Sequence, residues 1–348
     1  MVRRKRRVRQ AGILDVAAQA GVSPATVSRF FNHPDLVRYE TRNRILACAT
    51  ELGYVRNRAA GSLNRGKTAT VGLVVPTVDN AIFAELIQEF SSSLMQHDYS
   101  LLISSHGYDL VNEVDLVRTL LEHQVDGVVL VGAEHDSETF HLLDVNNMPA
   151  LTVWNWSREL RIPSVGIDNR ELGRLAARHL LELGHREIAC LFPAGSNNDR
   201  AADRRHGARA ELAKAGASAA LNRDVECPYD IDIAKQRVRE LLQDLPPPTA
   251  VLAGNDIIAQ AAMYAALSVG VRVPEELSII GIGDFHGSAA LEPGLTTIRI
   301  PAAEIAQSAA KTIVDMIDDG FTDSERSQRM SGELLVRGST VSPVSSAT

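Results

Sequence analysis

Apolar positions along the chain follow two regimes. In the opening segment they recur at helical spacing in three short groups. Ile13, Val16, Ala17 and Ala20 form the first, and Gly21 ends it. After three residues a second helix is expected over 24–31, with Val27, Phe30 and Phe31 turned inward. So short a connection, carrying a glycine, is that of a helix-turn-helix. A third helix is expected at about 40–52, with Ile45, Leu46, Ala49 and Leu52 on one face and Gly53 as its stop. The second helix has a stiff start: Ser23 caps it, and Pro24 takes the first position, where a missing N–H costs nothing. Pro24, Ala25 and Arg29 are left outside, as suits a helix presented end-first to a partner.

From Thr70 onward, short apolar runs alternate with amphipathic helices. Strands are expected at 71–75, 100–105, 125–131, 150–153, 164–167, 187–192, 250–254 and 277–282. Helices are expected at 81–96, 109–123, 135–145, 172–183, 204–215, 233–242 and 257–269. Continuous β-branched runs separated by helices make parallel sheets covered on both faces, an α/β class. The strands are too many for one small sheet.

The charge distribution divides the chain at the same place. The 348 residues carry a net charge of −7, which alone argues against a nucleic-acid partner. Residues 1–67, however, hold 14 Lys and Arg against four Asp and Glu, a net +10. The remainder holds 22 basic and 39 acidic residues, a net −17. A basic head on an acidic body is what a small nucleic-acid module joined to a second function looks like. Cys48, Cys190 and Cys227 are far apart and have no metal-ligand spacing. Free thiols in a reducing compartment are expected, with neither zinc nor disulfides. The RRKRR near the N-terminus is not followed by the apolar core of a signal peptide, and no run of 18 apolar residues occurs. A cytoplasmic protein without metal or cofactor is expected.

The stretch ILDVAAQAGVSPATVSRFFN, followed by ETRNRILACATELGY, closely resembles the DNA-binding head of the lactose-repressor (LacI/GalR) family. The resemblance implies that the end of the second helix enters the major groove while its neighbours hold phosphates. It puts DNA contacts at Ser23, Pro24, Ala25, Thr26, Ser28, Arg29 and Asn32. Arg29 is long enough to reach a guanine edge or a phosphate. Pro24 and Ala25 would touch a thymine methyl or simply allow close approach. Residues 55–68 look like the family's hinge, which becomes helical on the operator and wedges a leucine into the minor groove; Asn57 and Leu63 would be its DNA contacts. Gly61 and Arg56 depart from the family's arginine and proline there. The head is thus expected over 1–54, with a disordered basic arm at 1–10.

The acidic half also resembles the family, in TVGLVVPTVDNAIFAEL, SVGIDNRELGRLAARHLLELGHREIACL and AVLAGNDIIAQAAMYAALSVGVRVPEELSIIGI. The implied body, 69–348, has two lobes of the periplasmic-binding type with three crossings between them. One lobe would hold about 69–163 and 299–329, the other 164–298 and 330–348. In open α/β sheets ligands sit outside the carboxyl ends of the strands. Those ends carry Asp79-Asn80, His106-Gly107-Tyr108, Trp154-Asn155-Trp156, Asn255-Asp256 and Asp284-Phe285-His286. Amides, carboxylates and aromatics together suit a polyhydroxylated ligand. With the matches to the family, the ligand set is Asn80, Ile82, Phe83, Trp154, Arg204, Asn255 and Asp284. The family's first ligand aspartate falls on Gly283, which leaves room for a negative ligand near Arg204 or implies different hydroxyl recognition. A similar loop, and a phrase like VSRFFNHPDLV, occur in the gluconate-repressor branch.

The expected function is an operator-binding transcription repressor controlled by a small carbohydrate or sugar acid held between the lobes. It would act as a homodimer on a near-palindrome in double-stranded DNA. The segment after Val336 has no leucine heptads, so a tetramerising coiled coil is not expected. A sugar-processing enzyme is the first rival, but no P-loop, nucleophile elbow or GxGxxG after the first strand occurs. A transport binding protein is the second, and it would need an export signal.

Overall fold

The computed structural model describes residues 11–55, 67–157, 159–217, 223–244, 246–319 and 326–343. The basic arm 1–10 and the hinge contacts Asn57 and Leu63 lie outside those residues. The chain forms two compact units, Met1–Thr68 and Ala69–Thr348.

The first unit holds α1 (Ile13–Ala20), α2 (Pro24–Asn32) and α3 (Tyr39–Glu51). Gly21 takes the left-handed conformation at φ 62° and closes α1, which frees the chain to restart at Ser23. Ser23 Oγ accepts the Thr26 N–H at 3.1 Å, and Pro24 opens α2. Val16, Ala17, Ala20, Val27, Ile45, Cys48 and Ala49 make the core, with Phe30, Phe31, Leu52 and Tyr54 packed against it. One inward assignment is corrected: Leu46 is 54% exposed. Successive helix residues are about 100° apart, so the stripe through Ile45, Cys48, Ala49 and Leu52 leaves Leu46 outside.

The second unit contains two six-stranded sheets. The first uses β1 (Thr70–Val75), β2 (Ser100–Ser105), β3 (Gly127–Val131), β4 (Ala150–Asn155), β5 (Ser164–Ile167) and β11 (Gln328–Met330). Its order is β11-β5-β4-β3-β1-β2, parallel throughout. The second uses β6 (Ile188–Phe192), β7 (Asp224–Glu226), β8 (Ala250–Ala253), β9 (Ser278–Gly283), β10 (Thr296–Arg299) and β12 (Glu333–Leu335). Its order is β12-β10-β9-β8-β6-β7, and only the β10–β12 pair is antiparallel. Strands β3, β4, β6 and β8 are buried at every position, which is why their sequences read as unbroken apolar runs.

Helices α4 (Ala81–Gln96), α5 (Leu110–Glu122), α6 (Ser137–Val145) and α11 (Ala302–Asp319) cover the first sheet. Helices α7 (Asn169–Glu182), α8 (Asp199–Lys214), α9 (Ile231–Leu241) and α10 (Asp256–Val269) belong to the second lobe. The lobe boundary differs from the expected one. Residues 164–167 form β5, which pairs with β4 in register Thr152↔Ser164 to Asn155↔Ile167 and so belongs to the first lobe. The chain therefore crosses at Asp168, between β5 and α7; again at Ile300-Pro301, between β10 and α11; and finally at Ser331-Gly332, between β11 and β12. Helix α8 begins at Asp199, five residues before its expected start. Its first turns bury Arg200 and Arg204, so no apolar stripe announces them.

Candidate functional site

In the head, the exposed end of α2 is built as the sequence implies. Ser23, Pro24, Ala25 and Arg29 are exposed, and Thr26, Ser28 and Asn32 are half-buried. Two pairs hold one another: the hydroxyls of Ser23 and Thr26 lie 2.8 Å apart, and Asn32 Nδ2 donates to Ser28 Oγ at 3.2 Å. Arg29 projects from the last turn of α2, and among the described residues no side chain holds its guanidinium. Behind it Val27 is fully buried, which fixes the rotation of the helix.

In the body, the carboxyl ends of the strands converge on a tight cavity of about 10 Å³, room for about one water. Asn80, Ile82, Phe83, Trp154, Arg204 and Asn255 all line it, so six of the seven expected ligand residues come together. Asn80 and Asn255 also begin helices. Each is an N-cap: Asn80 Oδ1 accepts the Ile82 N–H at 3.3 Å, and Asn255 Oδ1 accepts the Ile258 N–H at 3.0 Å. Capping fixes where each amide nitrogen is presented. Trp154 is the next-to-last residue of β4, wholly buried, with its backbone at φ 81°. Left-handed backbone is uncommon for a bulky residue outside turns and tends to cluster at ligand sites. Its ring centroid lies 5.8 Å from that of Phe83, and together they form an apolar wall.

The polar end of the cavity is cationic. Arg204 is 2% exposed; its Nε donates to Asn169 Oδ1 at 2.8 Å and one terminal nitrogen donates to the Gly254 carbonyl at 3.1 Å. Burial pushes its pKa down. Neither of these hydrogen bonds reaches a carboxylate, and none of the residues lining the cavity is acidic. Arg200, beside it, donates to Asp199 Oδ1 at 2.7 Å and to the Val131 carbonyl at 3.3 Å. Tyr108 and Tyr229 complete the lining, their ring centroids 6.4 Å apart. Burial, with Tyr229 adding to it, pushes the Tyr108 phenol up to about 12, so near neutrality it is an uncharged hydroxyl that can donate or accept. Such a site favours hydroxyls and an anion over a cation.

Asp284 is not part of this lining. Its carboxylate takes Arg299 Nε at 2.9 Å and an Arg337 terminal nitrogen at 2.6 Å, both in the second lobe. Two arginines hold it away from the cavity. The neighbouring glycine has its own reason. At Gly283, with φ +142°, a Cβ would lie 2.1 Å from Phe285 Cε1. An aspartate at this position would require the Phe285 ring to move. Phe285 is fixed in turn by the wholly buried Asp256, which accepts its N–H at 3.0 Å, Ser288 Oγ at 2.7 Å and Thr297 Oγ1 at 2.6 Å. Phe285 lines a second cavity of about 180 Å³ with Glu85, Ile300 and Ala302, which shares Ile82 and Trp154 with the first.

Three lining residues escaped the sequence-based ligand set. Tyr108 stands in the strand-end stretch His106-Gly107-Tyr108 and was legible there. Arg200 lay in a helix start that the buried arginines concealed. Tyr229 follows β7, whose sequence DVE is too short and polar to read as a strand. Among the described residues, no group of three or more His, Cys, Asp or Glu could hold a metal, and no helix is long and apolar enough to cross a membrane.

Residues 12–57 match the model of bacterial regulatory proteins, lacI family, and residues 177–340 match that of a periplasmic binding protein-like domain. Over 339 residues the chain is 31% identical to the HTH-type transcriptional repressor CytR of Escherichia coli (strain K12), covering 97% of this chain and 98% of that protein. Among solved structures it resembles the lac repressor dimer bound to operator and the anti-inducer ONPF, with TM-score 0.81 and 26% identity over 96% of this chain and 100% of that one. It also resembles a complex of the transcriptional regulator CelR with cellobiose, with TM-score 0.69 and 28% identity over 94% of this chain and 99% of that one.

Proposed function

The chain belongs to the lacI family of bacterial regulatory proteins, and from that premise we propose a repressor whose grip on its operator is set by a sugar acid bound at Arg204. It is a DNA-binding transcription regulator, not an enzyme. Every finer statement rests on the chemistry of the head and the cavity. The observation that carries the ligand class is the charge of the lining: two arginines, two tyrosines and two asparagines with no carboxylate among them. Hydroxyls pair with Asn80, Asn255 and Tyr108, and a carboxylate forms an ion pair with Arg204, which a neutral hexose cannot. Trp154 and Phe83 cover the C–H face of the ring. The cellobiose bound to CelR supports a carbohydrate, and the lining shifts the preference toward hexonates.

Calorimetry with gluconate, glucose and cellobiose tests the reading. Gluconate should bind most tightly, and Arg204→Ala should weaken it roughly 10- to 100-fold, since a charge-assisted hydrogen bond contributes about 1.5–3 kcal/mol. Operator binding by this variant, read by anisotropy, should remain measurable and respond to gluconate only at correspondingly higher concentration. Wild-type affinity for gluconate in Arg204→Ala, or tight binding of a nucleobase and of no sugar or sugar acid, would sink the assignment.

The DNA contacts proposed are Ser23, Pro24, Ala25, Thr26, Ser28, Arg29 and Asn32, with Asn57 and Leu63 of the hinge. A single helix reads too few bases for high specificity, so the reading entails two heads on a near-palindrome in the cytoplasm. Support comes from the lac repressor, which is a dimer on its operator. Light scattering of the full chain should give a dimer, and a stable tetramer or monomer at micromolar concentration would overturn this.

A further inference from the structure

Arg204 is joined to the opposite lobe by an unbroken run of side-chain hydrogen bonds. Its Nε donates to Asn169 Oδ1 at 2.8 Å; Asn169 Nδ2 donates to Asn155 Oδ1 at 2.7 Å; Asn155 Nδ2 donates to Asp199 Oδ2 at 2.8 Å. The same Asp199 oxygen accepts the Ala133 N–H, and the Glu134 N–H at 3.2 Å. Asn155 and the 133–134 backbone belong to the first lobe; Asn169, Asp199 and Arg204 belong to the second. Four of these bonds therefore cross between lobes. A guanidinium stands at one end and a carboxylate near the other, so each amide can point only one way, oxygen toward the cation and nitrogen toward the anion. Asn155, Asn169 and Arg204 are each at most 4% exposed, where little solvent screens the chain and neighbouring hydrogen bonds polarise one another.

The clasp at the far end has no slack. Gly132 has φ +113°, and a Cβ there would stand 2.5 Å from an Arg200 terminal nitrogen and 3.1 Å from Asp199 Oδ1. Asp199 is the first residue of α8 and Arg204 the sixth, so the clasp and the ligand-facing arginine ride on one rigid segment. Any rotation that lifts α8 from the 132–134 loop breaks the Ala133, Glu134 and Asn155 bonds to Asp199 together.

We propose that Asn169 and Asn155 are positioning residues that hold Arg204 for its ligand and link it to the Asp199 clasp between the lobes. The link makes occupancy of Arg204 and closure of the clasp one event. It rests on the reading that the effector contacts Arg204, and it deepens that reading by naming what carries the response.

Hydrogen exchange at the Ala133 and Glu134 amides tests it on the full chain without any ligand. Those amides lie in a loop, and their protection reports the clasp directly. Asp199→Asn should accelerate both. Asn169→Asp is the discriminating variant: it keeps an acceptor for Arg204 Nε but has no N–H for Asn155. It should accelerate the same two amides about tenfold while the β1 and β8 amides keep wild-type protection. A structural role for Asn169 confined to α7 would leave residues 133 and 134 unmoved. Wild-type exchange at 133 and 134 in Asn169→Asp, alongside acceleration in Asp199→Asn, overturns the link. Unchanged exchange in both variants overturns the clasp itself. Failure of the sugar-acid reading shows elsewhere, as absence of gluconate binding by calorimetry, and leaves the exchange result standing.

Discussion

Gly207→Ala should lower the stability of the body by about 3 kcal/mol or more, the upper end of what overpacking costs. Helices α7 and α8 meet backbone to backbone. A Cβ on Gly207 would stand 1.9 Å from the Arg170 carbonyl oxygen, and one on Gly173 would stand 1.9 Å from the Arg204 carbonyl oxygen. Neither glycine needs its conformational freedom, since both sit inside regular helix. The constraint is space alone. Close-packed interiors transmit such a clash and do not absorb it. A methyl group at either point has only main chain to push against, so the helices must separate. Separation also moves Arg204 relative to Asn169, because the Arg204 carbonyl is itself part of the contact. Ligand affinity should therefore fall in whatever fraction of Gly207→Ala still folds. Urea unfolding of the 348-residue chain, followed by far-UV dichroism, measures the first effect and calorimetry the second. A variant within about 1 kcal/mol of wild type would mean that the crossing is looser than its geometry.

This crossing also shows what the sequence could and could not convey. The match to the family placed Arg204, but the spatial reason for Gly207 needs the partner helix. Local signals were sufficient where one residue decides the geometry. Gly21, Ser23 and Pro24 set the turn of the head, and Asn80 and Asn255 announce helix starts and strand ends at once. Continuous apolar runs located the buried strands. Non-local pairing was another matter. Nothing in SVGI says that it adds to β4 and not to the next sheet, because a fully buried strand looks alike in either. Buried charge misled in a different way. Arg200 and Arg204 are polar in sequence and interior in space, so the first turns of α8 lacked the periodicity that marks a helix. Asp284 differs in the opposite sense: its strand-end position in sequence suggested a ligand group, and in space Arg299 and Arg337 hold its carboxylate outside the cavity lining. The departure at Gly283 was visible in sequence; the Phe285 ring that occupies the space of an acidic side chain was not.

Arg29→Ala should strongly weaken sequence-specific operator binding while leaving the head folded. The expectation follows from how little of α2 is available to DNA. Val27 is buried, Phe30 and Phe31 are half-buried against the core, and Phe31 also meets Tyr54, so one face of the helix is committed to the core. Ser23 and Thr26 hold each other, as do Ser28 and Asn32. These short groups can reach a phosphate or a base edge only by close approach, which Pro24 and Ala25 permit. Arg29 alone in α2 has both the length and the paired donors to read a guanine edge from a distance, and it spends none of them on a protein side chain among the described residues. A good bidentate base contact contributes about 1–3 kcal/mol, and a dimer loses two, so specific affinity should drop roughly 30-fold to 10⁴-fold. Non-specific binding depends on the total positive charge, most of which remains, and should fall far less. Footprinting on the native operator and anisotropy on unrelated duplex, at one fixed salt concentration, separate the two. The thermal unfolding of the head should not change, since Arg29 touches none of its core. A footprint as strong as wild type would show that α2 does not read the bases, and the specificity would then have to come from the hinge.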